Sequence, residues 1–281
     1  MLALILTIAC STSIALILKS NAVNKGNALI LLMGNYLMAA IIGFIFVVFS
    51  PKATCSVPTL IFGALLAFMF VFAFFAFAKA VHAAGTALST VSARLSVVVP
   101  IVLSIIIYHE LPNEWQLGGF FFTIVTIIAF YFSLKRLRSA EPLSIMDYFF
   151  LFAVLAGIGF NDFCMKVFQH WRPLSEKALF LFTIFLFAFI YSAAYVRIKR
   201  IPLEQKTLIR GSVLGIPNIF SSYFLLAALD QLPAIVVYPV INIGIILLTT
   251  LLAALIWKER LNSAGIVALI TGTTAIVLLS L

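Results

Sequence analysis

The sequence predicts an all-α membrane protein of ten transmembrane helices, arranged as two inverted five-helix repeats. Three observations carry this prediction. First, 64% of the 281 residues are hydrophobic and only 10% are charged, whereas a soluble domain is roughly 45–50% apolar and about 25% charged. Second, the apolar residues come as continuous runs of the roughly 20 residues that a membrane helix needs, not as the alternation of a barrel strand. Third, features of the first half recur in the same order 147 to 149 residues later.

Breaking the chain at its polar clusters places the spans at about 2–18, 28–49, 59–80, 86–108, 116–134, 147–166, 178–196, 209–228, 234–257 and 263–281. The first run begins at Met1 without a basic leader, and others of the same kind follow, so it reads as a span and not as a cleaved signal peptide. Several links are short. His82-Ala83-Ala84-Gly85 joins spans three and four, and Asp230-Gln231-Leu232-Pro233 joins spans eight and nine. Links of this length make their flanking spans antiparallel neighbours.

The repeat is legible at matched landmarks. Lys19 corresponds to Lys166, Gly63 to Gly211, Ala80 to Ala228 and Glu110 to Glu259. Residues 1–138 and 139–281 then form two halves of five spans each, split within the polar segment 135–142. An odd number of spans makes the second half enter from the opposite side. Such inverted repeats are a transporter plan, with the cargo near the bilayer midplane between the halves.

Charge and cysteine content exclude other classes. The net charge of +9 resides mostly between apolar runs, which points to anionic lipid headgroups as partners and not to nucleic acid. Cys10, Cys55 and Cys164 are far apart, and there is no CxxC, HExxH, GxSxG or nucleotide-binding loop. Neither a metal, a cofactor nor an enzymatic activity is expected. An intramembrane enzyme would need converging acids or a His–acid or Ser–Lys pair. Here Asp162 is the acid well inside a span, and His82, His109 and His170 lie near loops.

The segments AKAVHAAGTA, HELPNEW and the following Gly118-Gly119, with their second-half counterparts LAALDQLPA and WKERLNSAG, carry a family resemblance. Together with the five-plus-five arrangement, they resemble the drug/metabolite transporter superfamily in its EamA-like branch, over nearly the whole chain. The halves differ at the prolines: Pro100 is central in span four and Pro239 early in span nine. The resemblance implies a secondary transporter of a bacterial inner membrane, more often an exporter, with both termini inside. The charge bias implies the reverse orientation. Most Lys and Arg lie in odd-numbered loops, as at Arg136, Arg138, Arg197, Lys199 and Arg200, while the even-numbered loops hold Lys52, Lys166, Arg172 and Lys177.

An ionised group in hydrocarbon costs roughly 2.5–3.5 kcal/mol on insertion scales, so it turns inward and marks function. Arg94, between Ser92 and Ser96, presents a planar fork of donors suited to a carboxylate or phosphate. Alternatively it snorkels or pairs structurally with Asp162. Asp162 is a candidate proton-coupling carboxylate or amine counter-ion. Its structural alternative is a local pair with Lys166 one turn later.

Asn35, Tyr36, Asn161, Asn218, Tyr238 and Asn242 are candidate substrate contacts, each with helix packing as its alternative. Pro100, Pro217 and Pro239 are candidate kinks or hinges. Glu110 and Glu259 read as helix-end anchors, and Gly34, Gly157 and Gly159 as close-packing points. The expected function is alternating-access transport of a small polar organic metabolite such as an amino acid or sugar, proton-coupled or exchanging. The alternatives are a flippase-like carrier of lipid-linked cargo and a non-transporting scaffold. A monomer and a homodimer both fit the sequence.

Overall fold

The computed structural model describes residues 1–24, 26–50, 56–135, 144–256 and 262–281, apart from the side chains at 22, 82–83, 85–87, 134–135, 253–254 and 256. The expected anchor Glu259 and the loop cations Lys25, Lys52, Arg136, Arg138, Lys258 and Arg260 lie outside it.

The described residues are helical, in the order α1 (Leu2–Val23), α2 (Ala28–Phe49), α3 (Val57–Leu95), α4 (Val98–Tyr108), α5 (Glu114–Lys135), α6 (Ile145–Trp171), α7 (Lys177–Ile198), α8 (Gln205–Leu229), α9 (Ala234–Ile256) and α10 (Ser263–Leu279). Nine segments among them are long and apolar enough to cross a bilayer, and α10 is a shorter apolar helix. Large apolar side chains such as Phe44, Phe121, Ile145 and Phe152 face outward. Exposed hydrocarbon on this scale is untenable in water and fits a lipid-facing surface. The chain is an all-α, multi-pass membrane protein.

The helices are delimited by local chemistry. Asn27 caps α2 by accepting from the Leu29 and Ile30 amides, and Ser56 caps α3 at Thr59. Ser144 and Asp147 form a reciprocal capping box on α6. Asn262 opens α10 by accepting from the Gly265 amide.

The link expected at residues 82–85 is helical, so α3 runs on to Leu95. Drawn straight, its 39 residues would span about 58 Å. Its contacts with α6 show that it is not straight. Met69 and Ala73 meet Asn161 and Gly157 in turn, and Ala76 and Ala80 cluster with Val154, running against α6. Ser92, Val99 and Tyr108 then meet Leu151, Gly159 and Phe163, running with it. The chain reverses between Ala80 and Ser92, and spans three and four are antiparallel as expected.

Span four is not one helix with a central kink. It breaks at Ser96-Val97, and Pro100 falls in the first turn of α4. The reason is chemical: Pro100 has no N–H for the Ser96 carbonyl. That carbonyl instead accepts from Val99 at 3.0 Å, and the Arg94 carbonyl from Val97 at 3.4 Å. These tighter i→i+3 bonds end the α-helix at Leu95, one residue after Arg94. Pro217 and Pro239, in contrast, lie inside the continuous helices α8 and α9.

Packing is dominated by contacts between the halves. α2 packs on α7 and α8, α3 on α6 and α7, α1 on α8 and α9, and α5 on α10. The α2–α8 crossing is close because its residues are small. A methyl group at Gly211 would overlap the Leu31 carbonyl, and one at Gly215 the Asn35 carbonyl. In lipid, where apolar burial drives association little, such backbone contact is a main source of helix adhesion. The core is built on Phe168, Phe180 and Phe185, and the rings of Phe168 and Phe180 stack at 3.8 Å.

Candidate functional site

The break at Ser96-Val97 places Arg94 in the last turn of α3, facing α9 and α6. Its Nη1 donates to Asn242 Oδ1 at a long 3.5 Å. Its Nε is buried and meets no partner. Arg94 and Asp162 interact electrostatically, yet they do not close to the ion-pair distance reached by Lys166–Glu110 and Arg172–Glu176. Asp162 is held by its backbone, whose carbonyl accepts from the Tyr238 hydroxyl. Asn161 Nδ2 reaches the Met69 carbonyl at 3.5 Å, while its Oδ1 is buried without a partner.

The structure therefore brings together four sequence-predicted residues, Arg94, Asp162, Tyr238 and Asn242, while the side chain of Asn161 turns to Met69. The set offers free donors on a guanidinium beside an uncommitted carboxylate and an amide oxygen. A buried polar group without a partner costs roughly 1–3 kcal/mol, more when charged. Unsatisfied groups of both signs in one place suit a polar ligand.

The remaining candidates are elsewhere in the packing. Asn218 Nδ2 donates to Asn35 Oδ1 at 3.0 Å, sealing the α2–α8 crossing beside Gly215. Tyr36 is buried against Phe185 in the core. No recorded contact among the described residues joins these three to Arg94. Pro239 sits between Tyr238 and Asn242 on α9, and Pro100 just beyond the Arg94 turn. Pro217 neighbours Asn218.

Lys166 does not pair with Asp162, the local alternative that its i+4 spacing offered. Its Nζ is 2.9 Å from Glu110 Oε1, and it also meets Gln169. Glu110 is the anchor that the sequence suggested: its other oxygen accepts from the Ile235 amide at the start of α9, at 3.1 Å. A second polar cluster lies at the same end of α6. Arg172 grips both Glu176 oxygens at 2.7 and 3.0 Å and also donates to Ser56 and Thr59.

The buried, unpartnered hydroxyls of Ser104 on α4 and Thr249 on α9 were not singled out from the sequence. Ser and Thr recur throughout these helices, usually bonded to their own preceding turn as Thr126 and Thr183 are. Only a structure separates the exceptions.

Two open apolar grooves of 380 and 410 Å³ lie on the periphery, lined by residues such as Phe62, Leu65 and Trp171, or Ile128, Phe132 and Val267. Neither includes Arg94, which is half-buried with its Nε enclosed. Among the described residues, no cluster of His, Cys, Asp and Glu is arranged to hold a metal ion.

Fold and site define a helical multi-pass membrane protein with an arginine and an aspartate side by side among its helices. No protein-family model matches the sequence. An uncharacterized protein of Haemophilus influenzae is 27% identical over 205 residues, covering 72% of this chain and 69% of that protein. A solved crystal structure of a protein superimposes with a TM-score of 0.80 at 13% identity, covering 99% of this chain and 94% of its own. That likeness extends the fold to an experimentally determined architecture and says nothing of cargo.

Proposed function

We propose that the chain is a secondary transporter of ten spans in two inverted five-helix halves, resembling the EamA-like drug/metabolite transporters, and that Arg94 receives an anionic group of a small polar metabolite. The observation that carries this reading is the Arg94 guanidinium, with a buried unpartnered Nε beside an Asp162 that forms no ion pair with it. A purely structural arginine at membrane depth would be expected to close on the carboxylate beside it.

The inverted repeat is supported by paired contacts. Exchanging the halves turns the α2–α8 contact into α7–α3, and α1–α8 into α6–α3, and all four occur. Gly63 packs against Phe180 and Thr183, while Gly211 packs against Leu31 and Gly34. With a shift of 148 or 149 these are one contact seen twice. Arg94 and Asn242 are themselves 148 positions apart. They occupy equivalent places in the two halves, close to the axis relating them, where a midplane site of this plan lies.

In this mechanism the halves rock to expose the Arg94 region alternately to each side. The cargo's anionic group replaces the weak Asn242 contact. Asp162, beside it, loads and releases a proton or matches a cationic group on the cargo. The direction is export from a bacterial cell across the inner membrane, by resemblance.

A thermal-shift panel of amino acids, sugars, nucleosides and organic acids tests the reading on purified protein. Wild type is expected to be stabilised by one class bearing a carboxylate or phosphate, and Arg94→Ala by none of it. Equal stabilisation of both proteins, or of neither by any class, overturns the site.

A further inference from the structure

We propose that Glu110 is a latch that closes one end of the protein, and that α9 links this latch to the Arg94 site. The inference deepens the transport reading, on which its functional meaning rests.

Three residues on one face of α9 make three separate connections. Ile235 gives its amide to Glu110, Tyr238 gives its hydroxyl to the Asp162 backbone, and Asn242 accepts from Arg94. The spacing of three and then four residues is one helical stripe. The N-terminal end of α9 thus meets the latch, its next turn holds the carboxylate-bearing residue, and the turn after that meets the guanidinium.

The first turn of α9 depends on Glu110 for two reasons. Helix N-terminal amides lack partners of their own, and a carboxylate there satisfies one of them with favourable charge. In addition, Pro239 has no N–H for the Ile235 carbonyl, so the bond that would fasten this turn to the rest of the helix is absent. The turn is tied from outside by Glu110, with a proline at its inner edge to bend about.

Glu110 is in turn set by Lys166, whose ammonium also lies 5.6 Å from the Tyr108 ring. Both ion pairs recorded among the described residues, Glu110–Lys166 and Arg172–Glu176, lie at this end of α6. Each network joins the first half to the second: Glu110 to Lys166 and Ile235, and Ser56 with Thr59 to Arg172 and Glu176. Opening this end requires separating the halves here. The Glu176 network stands at the opening of α3, whereas the Glu110 network alone reaches the α9 stripe. Glu110 is therefore a positioning residue, acting on the site through α9.

Cys164 is a native reporter. It is buried on α6 between Asp162 and Lys166, within electrostatic reach of Tyr108 and Tyr238. In a Cys10→Ser, Cys55→Ser background it is the one remaining thiol. The experiment measures its labelling rate by a membrane-impermeant maleimide in proteoliposomes. Glu110→Gln and Lys166→Met each remove the ion pair while leaving an acceptor for the Ile235 amide. Each is expected to speed labelling about tenfold, equivalent to ~1.4 kcal/mol toward the open state. Lys166→Arg keeps the charge and is expected to keep Cys164 protected.

A merely structural anchor would lower the melting temperature and leave labelling at the wild-type rate. That result overturns the latch, as does equal exposure in Lys166→Arg. No cargo is needed for the measurement, so failure of the latch leaves the transport reading standing, and failure to find a cargo leaves the labelling result intact.

Discussion

Arg94 and Asn242 lie 148 residues apart in the chain and meet side chain to side chain, Nη1 donating to Oδ1 at 3.5 Å. In the proposed inverted repeat they occupy equivalent positions, filled once by a permanent cation and once by a neutral amide. The asymmetry matters electrostatically. Two arginines there would repel each other at membrane depth, and two amides would offer an anion no charge.

Replacing Arg94 by Lys tests the fork and not only the charge. Lysine is a compact point charge without the planar pair of donors. Transport of the cargo is expected to fall by about tenfold or more, the scale of one lost contact of ~1.4 kcal/mol, with the melting temperature little changed. Uptake into proteoliposomes at wild-type rates would mean that charge alone matters there.

Asp162→Asn keeps shape and removes the ionisable group. If this carboxylate carries the coupling proton, the variant loses its response to an imposed pH gradient while still exchanging cargo. The check is counterflow beside gradient-driven uptake in the same vesicles. Retention of gradient-driven uptake would assign coupling to another group.

Gly211→Leu probes the α2–α8 crossing. The added side chain meets the Leu31 carbonyl, and overpacking of this kind costs about 1–3 kcal/mol. The melting temperature in detergent is expected to drop clearly. Leucine at the outward-facing Val213, two residues on, is expected to have no effect. Equal behaviour of the two would deny the close approach.

Pro100→Ala restores an N–H opposite the Ser96 carbonyl. The helix is then free to continue through Ser96-Val97, which turns Arg94 away from Asn242. Transport is expected to fall severalfold while the protein still folds. Cysteine cross-linking between positions 94 and 242 reads the geometry directly, and undiminished cross-linking in the Pro100→Ala background would show that the break does not depend on the proline.

The spans were legible because hydrocarbon demands long unbroken apolar helices, a constraint acting on every residue of a span. Arg94 and Asp162 were legible for the converse reason: a charge in such a run is costly enough to stand out. The role of Glu110 as a helix-end anchor was legible too, from its place in a short turn.

Partner choice was not. Lys166 stands at ideal helical spacing from Asp162 and yet binds Glu110, because the α4–α5 turn lands beside it. Asn35, Asn218, Tyr36 and Asn161 carry the same polar signal as Tyr238 and Asn242, but they seal other contacts. The sequence by itself determined that this is a membrane protein of many helices with one intramembrane cation and one intramembrane acid. Tertiary structure decided that those two lie together without closing, and that a single stripe of α9 touches both and Glu110. The physical reason is range: hydropathy and helix periodicity act along the chain, whereas which side chains meet depends on how helices far apart in sequence are docked.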